Sequence, residues 1–420
     1  MQYGCIGEHL VHSFSKEVHA QLRDYMYELK EVPAGALDGF MTERDFKAIN
    51  VTMPYKQAVI PFLHQVEQTA AAIGAVNTVV NREGLLYGYN TDFGGMLDLI
   101  KRTGIDLQGK KVLILGTGGT SNTAMAVAKH MGADPVWKVS RTEKPGVLTY
   151  ESVIAEHLDA QVLINTTPRG MLSRQSGMAI DPALFPRLCG AIDAVYNPLR
   201  TEFILKARSM GVPAAGGLYM LVRQAVLASE IFLGVKYPDE ITETVYQRIR
   251  ASKENIVLTG MPGSGKSTIG RLLAQELGRP YLDVDTLVEE KTGMTPAKII
   301  VSKGEAAFRD METEVIRQIS PETGSVIATG GGAVLRKENV ELLRMNGRIF
   351  FLDRPAEQLV PTADRPLSAT KETILQRYNE RYSTYISTAD AVIENASTPE
   401  DAVQLVKRSF FHEYPGDQRT

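Results

Sequence analysis

The chain has 420 residues, of which 44% are hydrophobic and 23% charged, with a formal net charge of −3. That length suits two or three domains and that composition an ordinary globular protein. No run of five like charges occurs, so nothing suggests a nucleic-acid groove or a polybasic membrane patch, and the charge balance leaves small polar or anionic ligands open. Cys5 and Cys189 lie far apart, without the spacing of a zinc site, and are expected to be buried free thiols. The start, MQYGCIGEHL, has neither the basic segment nor the apolar stretch of a signal peptide. No apolar run reaches the roughly 18 residues of a membrane span, so a reducing cytoplasm is expected.

Short β-rich runs alternate with helical patterns along the chain: INVTM near 49, KKVLILG near 110, QVLINTT near 161, NIVLTG near 255, SVIATGG near 325 and RIFFLD near 348. Strands separated by helices predict an α/β fold with parallel sheets covered on both faces. Two joints stand out: the polar stretch 102–111, and the charged, helical stretch 236–254. The last dozen residues, SFFHEYPGDQRT, read as frayed.

In chain order, HSFSKEVH places Ser13 and Ser15 two apart, INVTMPYK carries Thr52 and Lys56, GAVNTV carries Asn77, and GYNTDFGG carries Asp92. Singly these read as a helix-capping pair, a strand end, turns and a solvated lysine. The first glycine loop follows, in KKVLILGTGGTSNTAMAVAKH. Strand, glycine turn and helix let the backbone N–H groups of Gly116, Gly118 and Gly119 approach a pyrophosphate, where the helix dipole favours an anion. The third position is Ser121, which leaves an ordinary strand-to-helix turn as the alternative. The next strand ends in Ser140, Arg141 and Thr142. Arginine with hydroxyls, in place of an acidic residue, suits the 2′-phosphate of NADP.

The order HSxS, NVTxPxK, GAVNT, NTD, GxGGxS and Arg-Thr, extended by DAVYNPLRTEF (193–203) and GGLYMLVRQA (216–225), resembles the shikimate dehydrogenase family over roughly residues 1–250. The resemblance implies that Ser13, Ser15, Thr52, Asn77, Asp92, Tyr196 and Gln224 hold a polyhydroxylated ring acid. Lys56 and Asp92 would be the catalytic pair. Thr167 and Gly217 would join Gly116, Gly118, Gly119, Ser140, Arg141 and Thr142 around NADP(H). Glu8, His9 and Lys16 depart from the family beside the acid-binding serines, which leaves discrimination between shikimate and quinate open.

The second glycine loop, NIVLTGMPGSGKST, satisfies GxxxxGKS from Gly260 to Ser267. Such a loop wraps the β-phosphate of a nucleoside triphosphate, with Lys266 on β and γ oxygens and Ser267 on Mg²⁺, and serves motors, GTPases and small-molecule kinases alike. In YLDVDTLVEEKTG, Asp283 and Asp285 are predicted to share one side of a strand. In GEAAFRDMETEV, Arg309 and Glu312 are predicted to share a helix face. Singly, these read as a helix cap and a surface ion pair. SVIATGGG ends in Gly330, Gly331 and Gly332, where backbone can touch a ligand.

With DRPL (364–367) and RYSTYISTAD (381–390), these stretches resemble the shikimate kinase family over about 253–408. The resemblance implies that Gly263, Ser264, Gly265, Lys266, Ser267, Thr268 and Arg365 bind ATP, and that Ser267 and Asp283 serve Mg²⁺. Asp285 would orient the acceptor hydroxyl and be the candidate base. Arg309 and Arg381 would clamp the substrate carboxylate, with Gly331 and Gly332 against the ring hydroxyls. The lid around Arg365 is short and carries Pro361 and Thr362 where an additional arginine is expected.

The resemblances imply a substrate-binding α/β domain at 1–101, with helices at about 225–250 packing back on it, and a Rossmann-like NADP domain at 102–224. A P-loop kinase domain with a parallel sheet follows at 253–412, then a tail at 413–420. The expected function is reduction of 3-dehydroshikimate by NADPH and phosphorylation of shikimate by MgATP. A quinate-using first half and a catalytically silent sensor stand as alternatives. The oligomeric state is open.

Overall fold

Apolar runs whose successive side chains face opposite ways need cover on both sides, and that requirement organises the chain into three sheets. The structure is a computed structural model that describes all residues except 11, 12, 24, 172–176, 360–369 and 413–420. The chain divides into two compact units, Met1–Ile249 and Arg250–Arg419.

Among the described residues, the first sheet contains β1 (Tyr3–Gly7), β2 (Tyr27–Glu31), β3 (Ala48–Val51), β4 (Gln65–Val66), β5 (Thr78–Arg82) and β6 (Leu85–Tyr89), in the order β2-β1-β3-β5-β6-β4. It is mixed, where an all-parallel sheet was expected: β5 runs antiparallel to both β3 and β6. Only Glu83 and Gly84, both at positive φ, join β5 to β6, which is too short for a crossover and makes a hairpin. One face packs Ile6, Ile49, Val51, Val79 and Leu86 together. On the other, Cys5 and Val80 meet Ala228 and Phe232 of the helix Leu218–Leu233.

The second sheet contains β7 (Val112–Leu115), β8 (Val136–Ser140), β9 (Leu148–Thr149), β10 (Val162–Asn165), β11 (Gly190–Asp193) and β12 (Ala214–Ala215), ordered β12-β11-β10-β7-β8-β9 with every pair parallel. Val112 and Ile114 face the helices Thr91–Thr103 and Gly119–His130, whereas Leu113 and Leu115 face Glu202–Ser209. The stretch 102–111 is less purely a joint than its polarity suggests. Arg102 and Thr103 finish the helix Thr91–Thr103, and Ile105 and Leu107 are buried with Val112. Cys189 corrects the expectation of two buried thiols. It is exposed, because it stands outside β11 with its N–H on the Gln161 carbonyl at 2.8 Å.

The second unit is built on β13 (Asn255–Thr259), β14 (Tyr281–Asp283), β15 (Val326–Ala328), β16 (Gly347–Asp353) and β17 (Ala391–Glu394), all parallel in the order β14-β15-β13-β16-β17. Ile256 and Leu258 face the helices Lys266–Leu277 and Pro399–His412, and Val257 faces Glu305–Ile319. The stretch read as a frayed terminus is helical up to His412, and Phe410 within it is 0% exposed against Phe350. Among the described residues, no helix is long and apolar enough to cross a membrane.

Truncating so large a buried side chain leaves a cavity. Phe410→Ala is therefore expected to cost the second unit about 3–5 kcal/mol, read by urea denaturation. A loss below about 1 kcal/mol would contradict the packing of that helix.

Candidate functional site

In the first unit, Lys56 follows β3 and Asp92 is the second residue of the helix Thr91–Thr103. Asn90 caps that helix through the Phe93 N–H at 3.1 Å. The Asp92 carboxylate thus sits in the first turn, where the helix dipole favours a negative charge. Lys56 Nζ lies 2.5 Å from Asp92 Oδ2, with the two side chains 13% and 8% exposed. Asn77 joins them from the strand β5 side, accepting the Thr91 N–H at 2.7 Å and donating to Thr91 Oγ1 at 3.0 Å and Gln224 Oε1 at 3.5 Å. Lys56, Asn77, Asp92 and Gln224 are therefore brought to one place. Thr52 stands at the end of β3 with its N–H on the Ile6 carbonyl at 2.9 Å, and its methyl group fills the space beside Gly7.

Ser13 and Ser15 sit at the start of the short helix Ser15–Ala20, where Ser13 Oγ accepts the Ser15 N–H at 3.3 Å. Tyr196 lies beside them, its ring 5.3 Å from that of Phe14, the residue between the two serines. Burial pushes the Tyr196 phenol up to about 12, so it stays protonated and can donate. Cys5 is the shared neighbour of both groups. Burial pushes its thiol up to about 12 against the pull of Lys56, and it also acts on Tyr196. The sequence alone marks Cys5 only as a buried thiol; on β1 it packs with Val80, Ala228 and Phe232.

The first glycine loop reaches the same place. A side chain on Gly119 would begin 3.5 Å from Lys56 Cβ and Cδ. Gly118 caps the helix Gly119–His130 without a side chain, which leaves the first N–H groups open to a phosphate. Ser121 is fully buried and spends its hydroxyl on the Gly118 carbonyl at 2.6 Å. It therefore serves the tight packing that the third glycine usually serves. Beyond β8, Arg141 and Thr142 are exposed, and Ser140 Oγ accepts the Thr142 N–H at 3.2 Å. Lys144, which sequence reasoning missed, reaches from this turn to Thr117 Oγ1 at 3.1 Å. Its signal was a second cation three residues after Arg141. Thr167 bonds to Asn165 Oδ1 through N–H and Oγ1 at 3.1 and 2.7 Å, and the Gly217 N–H to the Val195 carbonyl at 2.8 Å.

In the second unit, the loop from Gly260 to Gly265 joins β13 to the helix Lys266–Leu277, which Gly265 caps at φ 84 without a side chain. Lys266 is buried and folds back over the loop, 2.8 Å from the Gly260 carbonyl and 3.0 Å from that of Met261. Asn395 ties the loop down through the Ser264 carbonyl at 2.6 Å. Ser264 Oγ, fully buried, has no hydrogen-bond partner among the described residues. Gly263 completes the loop, and Ser267 and Thr268 stand exposed at its mouth.

Asp283 and Asp285 do not share a strand face, contrary to expectation. β14 ends at Asp283, whose Oδ1 accepts the N–H groups of Asp285 and Thr286 at 3.1 and 3.4 Å and so caps the helix Val284–Thr292. A side-chain cap turns an extended chain helical at once, which removes the alternation of a strand. The two carboxylates consequently part. Asp283 Oδ2 accepts from Ser267 Oγ at 2.9 Å and from Tyr281 at 2.8 Å. Asp285 lies instead beside Gly330, where an added Cβ would meet its Oδ1 at 2.9 Å.

The run Gly330–Gly332 holds the rest together. A Cβ on Gly331 would stand 2.8 Å from Pro262 Cδ of the phosphate loop, and a Cβ on Gly332 would overlap the Arg309 guanidinium. Arg309 Nη1 lies 2.7 Å from Glu312 Oε2 and Nη2 3.1 Å from Glu305 Oε1. The pair is no surface ion pair, since Glu312 is 0% exposed. Burial pushes Glu312 above the usual carboxylate range, and Arg309 opposes it. Arg381, also buried, reaches the Gly331 carbonyl at 3.3 Å, and the Tyr385 hydroxyl bonds to the same oxygen. Arg365 and the stretch containing Pro361 and Thr362 lie outside the described residues.

Among known proteins, residues 262–409 match the family described as Shikimate kinase, and residues 5–79 the family described as Shikimate dehydrogenase substrate binding domain. A shikimate dehydrogenase (NADP(+)) of Clostridium perfringens (strain SM101 / Type A) is 32% identical over 272 residues, 59% of this chain and 98% of that protein. A shikimate kinase of Clostridium botulinum (strain Eklund 17B / Type B) is 41% identical over 160 residues, 37% of this chain and 96% of that protein. Among solved structures, shikimate 5-dehydrogenase from Thermus thermophilus in complex with NADP(H) and shikimate is similar with a TM-score of 0.53 at 32% identity, covering 59% of this chain and 99% of that one.

Gly332→Ala places a methyl group in the space of the Arg309 guanidinium. Binding of a carboxylated ring acid to the second unit is expected to weaken at least about tenfold, the scale of one charge-assisted hydrogen bond, with nucleotide binding unchanged. Calorimetric titration of each ligand reads the two effects separately, and equal weakening of both would contradict this placement.

Proposed function

The chain belongs to the shikimate dehydrogenase family in its first part and to the shikimate kinase family in its second, and it has both activities of the shikimate pathway. We propose that the first site reduces 3-dehydroshikimate at Lys56 and Asp92, and that the second phosphorylates the 3-hydroxyl of shikimate at Asp285. The observation that carries this assignment is that each glycine loop abuts its own cluster for a ring acid: Gly119 packs on Lys56, and Pro262 on Gly331.

In the first site, NADPH supplies the hydride. The Lys56 ammonium, held by Asp92, stands ready to protonate the oxygen that becomes an alkoxide, and Asp92 balances its charge. Asn77 and Gln224 offer amide groups, and Thr52 a hydroxyl, to the ring hydroxyls. Ser13, Ser15 and protonated Tyr196 offer hydroxyl donors to the ring carboxylate. Arg141, Ser140, Thr142 and Lys144 surround the position of the 2′-phosphate, and Thr167 and Gly217 line the remaining cofactor surface.

In the second site, ATP supplies the phosphoryl group. Lys266 turns from its loop carbonyls to the phosphate oxygens, with Gly263, Ser264, Gly265 and Thr268 completing the cradle. Ser267 Oγ and the Asp283 carboxylate, 2.9 Å apart, are hard oxygen donors of the kind Mg²⁺ takes. They would hold the ion, which supplies charge neutralisation on the phosphates. Asp285 orients the acceptor hydroxyl and takes its proton. Arg309 and Arg381 clamp the carboxylate in the fork geometry suited to it, and Glu312 holds the Arg309 fork in place.

Two expectations follow from sites with separate residues. Lys56→Ala should lower dehydrogenase kcat about 10³-fold, the scale of a lost general acid, with kinase turnover unchanged, and Lys266→Ala should do the reverse. Steady-state assays of both activities on each variant check this, and loss of both from either change in folded protein would contradict it. Arg141→Ala with Lys144→Ala should raise KM for NADPH by about 10²-fold, two charge-assisted contacts, and KM for NADH by less than about twofold. Equal rises would put the 2′-phosphate elsewhere.

A further inference from the structure

Asp193 ends β11 and is 0% exposed, yet none of the chemistry above uses it. Its carboxylate accepts from Asn165 Nδ2 at 2.9 Å, the Val195 N–H at 2.9 Å and Thr201 Oγ1 at 2.6 Å. Burial pushes this carboxyl up to about 7, against the pull of those three neutral donors. A carboxylate buried without a cation among the described residues is a costly arrangement, so what it holds in place matters.

Asn165 has two distinguishable ends. Its Nδ2 is turned toward Asp193, which leaves Oδ1 to accept from the Thr167 N–H and Oγ1 at 3.1 and 2.7 Å. An amide whose donor end is fixed presents a fixed acceptor end. Were the amide reversed, its NH₂ would face the Thr167 N–H, donor against donor. The Thr167 hydroxyl in turn accepts the Arg169 N–H at 3.3 Å, so the turn is built outward from Asn165. The chain beyond Asp193 is tied to the same region. The Ala194 N–H bonds to the Asn165 carbonyl and the Gly217 N–H to the Val195 carbonyl, each at 2.8 Å. Gly217 packs so closely on the Ala194 carbonyl that a Cβ there would overlap it.

We propose that Asp193 is a positioning residue of the NADP site, whose ionised carboxylate orients the Asn165 amide and, through it, the Thr167 turn and the approach to Gly217. It touches neither cofactor nor substrate. This rests on the reading that Thr167 and Gly217 line the cofactor.

The test uses the full chain with Asp193→Asn, which keeps the shape and removes the charge, beside Asn165→Ala and Thr167→Ala. At pH 8, Asp193→Asn should raise KM for NADPH about five- to tenfold, the difference between a charged and a neutral acceptor. kcat and KM for the ring acid should stay within about twofold. Asn165→Ala should reproduce the rise. The ionised form is the competent one and is lost as pH falls through about 7. The ratio of variant to wild-type KM should therefore shrink toward one near pH 6. A ratio that is the same at both pH values, or a fall in kcat at unchanged KM, overturns the proposal. If Thr167→Ala raises KM while Asp193→Asn does not, only the positioning role fails. If Thr167→Ala leaves KM unchanged, the cofactor reading fails and the proposal with it.

Discussion

Everything in this chain depends on bare backbone brought against a charged group at the C-terminal ends of parallel strands. A phosphate needs several N–H donors within hydrogen-bond reach, and only residues without a Cβ let the chain come that close. β7, β13 and β15 each end in such a segment: Gly116–Gly119, Gly260–Gly265 and Gly330–Gly332. The strand registers decide which side chains meet them, since a shift of one residue would turn each run to the other face of its sheet. Lys56 meets Gly119, and Arg309 meets Gly332, at such segments.

Both sites also bury opposite charges in pairs, Lys56 with Asp92 and Arg309 with Glu312. Such pairs contribute little net stability, because desolvation offsets most of the attraction. Breaking one by deleting a partner costs about 3–5 kcal/mol. Their value here is geometric, since each fixes the position of a cation. The helix dipole behind Asp92 and the shared hold of Arg381 and Tyr385 on the Gly331 carbonyl serve the same purpose without adding buried charge.

Both phosphate loops and the alternation of strands and helices were legible in the sequence because they are local patterns of glycine, apolar strand and helix. What was misread depended on information that a pattern does not carry. Asp283 and Asp285 looked like strand neighbours because alternation was extended past β14. The cap that Asp283 makes on its own helix ends the strand between them. β5 and β6 were not among the β-rich runs read from the sequence, and the two residues joining them permit only a hairpin. Cys189 lies one residue outside its strand, and Phe410 sits in a polar-looking terminus whose apolar stripe only a helix reveals. Lys144 and Asp193 escaped notice for a different reason. Their partners Thr117, Asn165 and Thr201 come together through loops whose path no periodicity encodes.

The central claim is that one site prepares the hydroxyl that the other phosphorylates. It is tested most directly by supplying the whole chain with 3-dehydroshikimate, NADPH and MgATP and following NADPH and ADP together. The account predicts shikimate 3-phosphate as product, ADP formation that approaches one per NADPH oxidised, and no ADP when NADPH is withheld. ADP formed at the same rate without NADPH, or NADPH consumed with no ADP appearing, would contradict it.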